Sequence, residues 1–334
     1  MSADQTSPQP EPAPAQNGSV SQSSSNSYRL LFYVASLTAI VSLGMMWNYK
    51  SQIPATNGDL EYIIRDKKFT FTVDAYGFKY QGTTENFIDE NILQYGAWEK
   101  HHLFFIRDYL KNLGEPNGVA IDVGANTGHH SLFYSRHTAK VLAIEPFPPV
   151  IELFKRNLAI NPEIQNISIY EVGFGDAAGE LPFLGPVDAN HGVGAFRPGD
   201  SVPDRKQLER KLPIVVGDEF LKDKVTGPVV FIKVDVEGFE EPVLKGLRQT
   251  MDKYRPLVEV ELSPPPMGTI DSIAKIQSLL PENYELYDLP WSPAGSVLGS
   301  YELRKFRWGV YSKGGQYELI ACPKERAHLL PGRK

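Results

Sequence analysis

Acids stand where the apolar runs of this chain stop. Asp122 closes VAID, Glu145 closes VLAIE, Asp176 follows ISIYEVGFG, and Asp235 with Glu237 ends VVFIKVDVE. Runs of this kind read as strands buried on both faces, and parallel strands bring their carboxyl ends to one edge of a sheet. Carboxylates gathered at that edge can accept hydrogen bonds from sugar hydroxyls, face a cation, or take a proton from a reacting oxygen.

The sharpest local pattern is VAIDVGANTGHHSLF, residues 119–133. A strand ends in an acid, a turn bearing Gly124, Asn126 and Gly128 follows, and a helix opens. Glycine lets backbone approach a ligand that a Cβ would hold off. The turn lacks the middle glycine of G-x-G-x-x-G, and no G-x-x-x-x-G-K-[ST] loop occurs. Asp122 would repel a pyrophosphate at the helix N-terminus but suits a cofactor with cationic groups. S-adenosylmethionine, with its sulfonium and ammonium, fits that charge. An ordinary strand, turn and helix is the plain alternative. Glu145 lies 23 residues beyond Asp122. An acid about 20 residues past a glycine loop typically binds ribose hydroxyls. Glu145 could equally cap a helix or face solvent. Asp176 is expected near an adenine, or else marks a simple Gly-Asp turn.

Asp235 and Glu237 are placed beside a reacting centre, as base or positioning group. A buried structural acid is the other reading of Asp235. His191, in DANHGVGAF, is a further candidate base, and the glycines beside it would let that loop close over a substrate. It could also be a solvated loop histidine. The pairs His101-His102 and His129-His130 are adjacent rather than four apart, so neither forms a helical metal pair; a divalent ion bound by the carboxylates of Asp235 and Glu237 is left open, and no other metal site is read from the sequence.

The segments IDVGANTG, AIEPFPP and FIKVDVEGFEEPVLKGL together resemble the FkbM-type family of S-adenosylmethionine-dependent methyltransferases. ILQYGAWEK and VEVEL fit the same pattern, so the resemblance covers roughly residues 90–265. It implies a class I methyltransferase fold and methyl transfer most often to a hydroxyl oxygen. It further implies that Asp122, Gly124, Asn126 and Glu145 contact the cofactor. Gly185 to Arg210 is longer than the family's usual segment there, which leaves the acceptor open.

The elements around these residues alternate. After the first strand come VLAIE, the helix PPVIELFKRNLAI, a strand and turn over 167–176, the strand VVFIKVDVEG, the helix EPVLKGLRQTM and the strand PLVEVEL. The helix IAKIQSLL and the late strands YELYDL and QYELIACP follow. Such alternation predicts an α/β fold, a doubly wound Rossmann-like sheet over residues 119–334. Residues 50–118 read as linker and N-terminal cap: FTFTVDAYGFKYQ as a hairpin, then helical spacing through Ile106, Tyr109 and Leu110 to Leu113-Gly114.

Residues 1–28 are rich in Ser, Pro, Gln and Asn, and are expected to be disordered. Leu30 to Trp47 is an 18-residue run without a charge, bracketed by Arg29 and Lys50. A helix of about 20 apolar residues crosses a bilayer, so residues 29–49 are expected to form a single-pass membrane anchor. A cleaved signal peptide and a buried core helix are the rivals. The length suits endomembranes better than the plasma membrane, and Lys50, Arg65, Lys67 and Lys68 lean the catalytic part towards the cytosol.

A net charge of −6 provides no basic field for nucleic acid. The single cysteine, Cys322, excludes an internal disulfide. The leading expectation is a membrane-anchored O-methyltransferase acting on a hydroxyl of a glycan, lipid or small metabolite. A nicotinamide-dependent oxidoreductase on the same sheet and a non-catalytic membrane scaffold are the alternatives.

Overall fold

The computed structural model describes residues 68–185, 194–196, 209–263, 265, 267–309 and 316–332. The run at 30–47 and His191 therefore lie outside the described residues. Among the described residues no helix is long and apolar enough to cross a membrane.

The described chain opens with an antiparallel hairpin, β1 (Thr70–Asp74) and β2 (Lys79–Thr83). The segment with helical spacing after the hairpin forms two helices. Helix α1 (Phe87–Tyr95) stops at Gly96, which is left-handed, and α2 (Lys100–Leu113) stops at left-handed Gly114. Leu103, Ile106, Tyr109 and Leu110 bury one face of α2, as the spacing requires.

Then come β3 (Val119–Val123), α3 (His129–Ser135), β4 (Lys140–Ile144), α4 (Pro148–Ala159) and β5 (Ile167–Tyr170). Next are β6 (Gly173–Gly175), β7 (Gly179–Leu184), β8 (Ala195–Phe196), β9 (Glu209–Val216) and α5 (Gly217–Leu221). The remainder is β10 (Val229–Val234), α6 (Glu240–Gly246), α7 (Arg248–Tyr254), β11 (Leu257–Leu262), α8 (Ile273–Leu279), β12 (Tyr284–Asp288), α9 (Pro293–Leu298), β13 (Arg304–Lys305) and β14 (Tyr317–Pro323).

The main sheet has the order β13-β12-β14-β11-β10-β3-β4-β5. The five strands from β11 to β5 run parallel, while β14 inserts antiparallel between β11 and β12. The fold is thus α/β with a mixed sheet, where strand patterning alone pointed to doubly wound parallel pairing. Successive residues serve opposite faces. Ile121, Ile232 and Val258 pack into the core on one side, and Ala120, Phe231 and Leu257 into the core under α2 on the other.

Two local expectations are corrected. The third strand is broken: β5 stays in the main sheet, whereas β6 joins a second sheet ordered β6-β9-β7-β8. That sheet had no sequence signal because β9, ERKLPIVV, mixes charges and a proline into its apolar pattern. The helix after β10 is divided at Leu247 into α6 and α7.

The hairpin is attached through side-chain amides. Asn161 Oδ1 accepts from the Lys79 amide at 2.6 Å, and its Nδ2 donates to the Lys79 carbonyl at 2.7 Å. Asn157 Oδ1 accepts from the Gln81 amide at 2.8 Å, and its Nδ2 donates to the Thr127 carbonyl at 3.1 Å. Asn157 on α4 and Asn161, two residues past its end, thus take the place of a third strand beside β2. Asn161→Ala strands a backbone donor and acceptor, each costing about 1–3 kcal/mol when buried. A thermal melt should show the midpoint fall by several degrees. A change of less than a degree would mean that water satisfies this edge equally well.

Candidate functional site

The turn after β3 is shaped by two close approaches. Gly124 has φ +86°, and a Cβ there would lie 1.7 Å from the carbonyl oxygen of Asp235. Gly128 has φ +87°, and its Cβ would meet the Phe154 ring at 2.1 Å. Only glycine allows both the left-handed backbone and the contact. The Gly124 and Ala125 amides donate to the Ile144 carbonyl at 2.9 and 3.1 Å, which draws the turn over the end of β4.

Glu145, one residue past β4, closes this arrangement. Its Oε2 accepts from the Asn126 amide at 3.0 Å and its Oε1 from the Phe147 amide at 2.9 Å. Burial pushes its pKa up to about 7, against the pull of those two amides. Each oxygen retains a lone pair for a further donor.

Two cavities meet here. The narrower holds about 630 Å³, partly open to solvent, and is lined by Glu145, Phe147, Phe183 and Phe196 among others. Phe147 stacks on Phe183 with centroids 5.2 Å apart, and Phe196 meets Phe183 edge-on at 5.1 Å. The wider holds about 840 Å³ and is lined by Trp98, Glu99, His129, His130, Glu261 and Gln316 among others. Gly124, Asn126, Asp235 and Glu237 belong to both walls.

Backbone strain gathers at the wider cavity. Glu99, Asn126 and Glu237 are left-handed without being glycine, with φ of 48°, 49° and 51°. Such conformations persist where surrounding contacts impose them, and they concentrate at binding sites. Glu237 Oε2 accepts from Gln316 Nε2 at 3.1 Å.

Beneath the cavities a charged row crosses the sheet on the face that α2 covers. Asp122, Lys233 and Glu259 are register neighbours on β3, β10 and β11. The Lys233 ammonium is buried and donates to Asp235 Oδ2 at 2.6 Å. Burial disfavours that charge, but Asp235, Glu99, Asp122 and Glu259 together hold its pKa well above the ordinary lysine value.

The structure thus brings Gly124, Asn126, Glu145, Asp235 and Glu237 to one place. Gly128 shapes the turn from behind, against Phe154. Asp122 lines neither cavity. It is 1 % exposed, accepts from Ser131 Oγ at 2.6 Å, and has its pKa pushed up to about 6 by burial, which Lys233 opposes. The reason is strand alternation: Asp122 shares its face with Ala120, below the turn rather than in the groove. Asp176 is exposed beyond β6 and also lines neither.

Sequence reasoning missed Glu99, Glu259, Glu261 and Glu318, gave Lys233 no role, and weighed His130 only as half of a metal pair. One signal was available. In VEVEL the acids alternate with valines, so Glu259 and Glu261 share one face of an otherwise buried strand. The approach of Glu99 and Glu318 from distant segments had no sequence signal. One donor atom each from Asp235, Glu237 and Glu261 lies within 4.8 Å of the others, close enough to share a cation.

Known proteins resemble this chain. Residues 122–286 match the family model of the methyltransferase FkbM domain. A methyltransferase of Sordaria araneosa, sdnD, is 30% identical over 185 residues, which are 52% of this chain and 65% of that relative. The chain thus spans less than two thirds of this curated relative. Among solved structures, methyltransferase FkbM from Methylobacillus flagellatus superposes with a TM-score of 0.38 at 17% identity, over 61% of this chain and 43% of that one. Magnesium protoporphyrin IX methyltransferase from Synechocystis, with bound SAM, reaches 0.38 at 10% identity, over 71% and 83%.

Proposed function

We propose that this chain, which carries a methyltransferase FkbM domain over residues 122–286, transfers a methyl group from S-adenosylmethionine to a hydroxyl oxygen of a glycan, lipid or small metabolite. The observation that carries the reading is the shared wall. An aromatic groove and a wider, acid-lined cavity meet at Gly124, Asn126, Asp235 and Glu237. A transfer between two molecules needs two adjoining compartments with a short opening between them.

The residues present fit the cofactor. The turn at Gly124 has no side chain to obstruct the groove. Phe147, Phe183 and Phe196 offer a planar base an apolar slot. Glu145 keeps lone pairs for ribose hydroxyls. Asp235 and Glu237 put negative charge at the end of the groove that adjoins the wider cavity, where a cationic ligand is favoured. When bound, S-adenosylmethionine supplies an electrophilic methyl on a sulfonium. Asp235, tethered by Lys233, stands where a base must be to accept the proton of an acceptor hydroxyl. The nicotinamide alternative is disfavoured by the missing G-x-G-x-x-G, and the scaffold alternative leaves the joined cavities without a use.

The proposal also assigns residues 30–47 to a membrane anchor, on the strength of the uncharged 18-residue run between Arg29 and Lys50. The short run supports the endomembrane system as the location.

Calorimetric titration should give heat with S-adenosylmethionine and none with a nicotinamide dinucleotide; the reverse would sink the reading. The carboxylate form of Glu145 is the one that accepts from two hydroxyls. Its pKa of about 7 makes affinity level above that pH and weaker below it, by about tenfold per unit at most. Glu145→Gln should weaken binding and flatten this profile.

Asp235→Asn keeps the shape of the side chain but removes the base. Turnover should fall by about 10²- to 10⁴-fold while cofactor affinity changes only a few-fold. Equal losses in both would make Asp235 a binding residue instead.

Alkaline carbonate extraction of membranes should leave the full chain in the pellet and release a chain lacking residues 1–50. Release of the full chain would exclude a spanning anchor.

A further inference from the structure

We propose that the wall of the wider cavity binds one divalent transition-metal ion, held by Nε2 of His102 and the carboxylates of Glu99, Glu261 and Glu318. His102 lies on α2 and its side chain is 1% exposed. Its Nδ1 is hydrogen-bonded to Glu259 Oε1. The bond to Glu259 takes up Nδ1 and leaves Nε2 as the ring atom that can meet an ion, which would displace the proton it carries. Nε2 has no hydrogen-bond partner. A buried nitrogen in that state is costly unless something else occupies it.

What Nε2 faces is Glu318. Its Oε2 is 3.8 Å away, beyond hydrogen-bond range. Two donors each about 2.1 Å from one ion lie about 3 to 4 Å apart, so this separation suits ligands of a shared metal. Glu318 in turn belongs to a second close group, in which one donor each from Glu99, Glu261 and Glu318 lies within 4.8 Å of the others.

The sheet adds an independent reason for a cation. Glu261 on β11 and Glu318 on β14 are direct cross-strand partners. Like charges placed opposite one another destabilise a sheet pair, and here both lie beneath a third acid, Glu99. Lys233 eases the conflict only in part: it donates to Asp235, and burial still pushes the Glu318 pKa up to about 8 and that of Glu261 well above the usual carboxylate range. A divalent ion between the three carboxylates would resolve it.

The surroundings match metal-site chemistry in two further respects. Histidine ligands commonly donate their second nitrogen to a carboxylate that fixes the ring, and Glu259, 1 % exposed, does this for His102. Glu99 and Glu261 also line the cavity, which gives an ion an entry path. One imidazole with three carboxylates suits manganese, iron or zinc better than calcium or magnesium. If the methyl-transfer reading holds, an acceptor oxygen entering this cavity meets the ion, which lowers the pKa of its hydroxyl.

The test uses the full chain freed of metal with a chelator, and Mn²⁺ as the probe. Titration followed by the electron paramagnetic resonance of free Mn²⁺ should show saturable uptake of one ion per chain, displaced by Zn²⁺, with a higher thermal midpoint when loaded. His102→Gln and Glu318→Gln should each weaken uptake at least tenfold. Glu259→Gln, which leaves all four ligands in place, should weaken it by about 10- to 100-fold. No saturable uptake by the unaltered chain overturns the site, whether or not the variants fold. So does uptake unchanged in folded His102→Gln and Glu318→Gln, which would put the ion elsewhere. S-adenosylmethionine titrated into the same metal-free protein separates the two readings. Cofactor binding without Mn²⁺ uptake removes only the ion, and Mn²⁺ uptake without cofactor binding removes only the transfer reaction.

Discussion

The backbone of Gly124 lies against the carbonyl of Asp235, and the rest of the site depends on that approach. β3 and β10 are neighbours in the sheet, so the turns leaving them emerge side by side. A Cβ at Gly124 would stand 1.7 Å from the Asp235 oxygen. A larger residue would push the two turns apart and open the wall that both cavities share. With glycine present, the turn folds over Ile144, Asn126 reaches Glu145, and Asp235 is exposed to both compartments at once.

A second constraint lies below the first. The sheet carries Asp122, Lys233, Glu259, Glu261 and Glu318 on the face covered by α2, with His102 and Glu99 facing them. Burying so many charges is unfavourable unless they are paired or bonded. Part of the set is arranged accordingly: Lys233 with Asp235, Ser131 with Asp122, His102 with Glu259. These pairs hold the floor of the wider cavity in one arrangement. Charge of this density in a protein core is a poor way to gain stability, which is why it reads as built for binding.

Much of the fold was legible. Near-continuous apolar runs gave β3, β4 and β10 their places as buried parallel strands, the alternating PLVEVEL marked β11, and the helical spacing of Ile106, Tyr109 and Leu110 marked the buried face of α2. The second sheet was not legible, because charged and proline-bearing β9 owes its strand state to pairing with β6 and β7. The insertion of β14 between β11 and β12 is likewise a matter of which edges meet, and local pattern does not encode that.

The site divides along the same line. The sequence by itself determined the glycine turn, the acid after β4 and the acids after β10, since close backbone approach and strand ends leave a local residue pattern. Only the tertiary structure decided that Asp122 faces α2 and not the groove, because a residue's face depends on the register and cover of its strand. It alone brought Glu99, His102, Glu261 and Glu318 together, from segments more than two hundred residues apart at the extremes. Spacing along a chain describes neighbours within one element. Electrostatic sites of this kind are made between elements, by sheet order and by the helix that covers them.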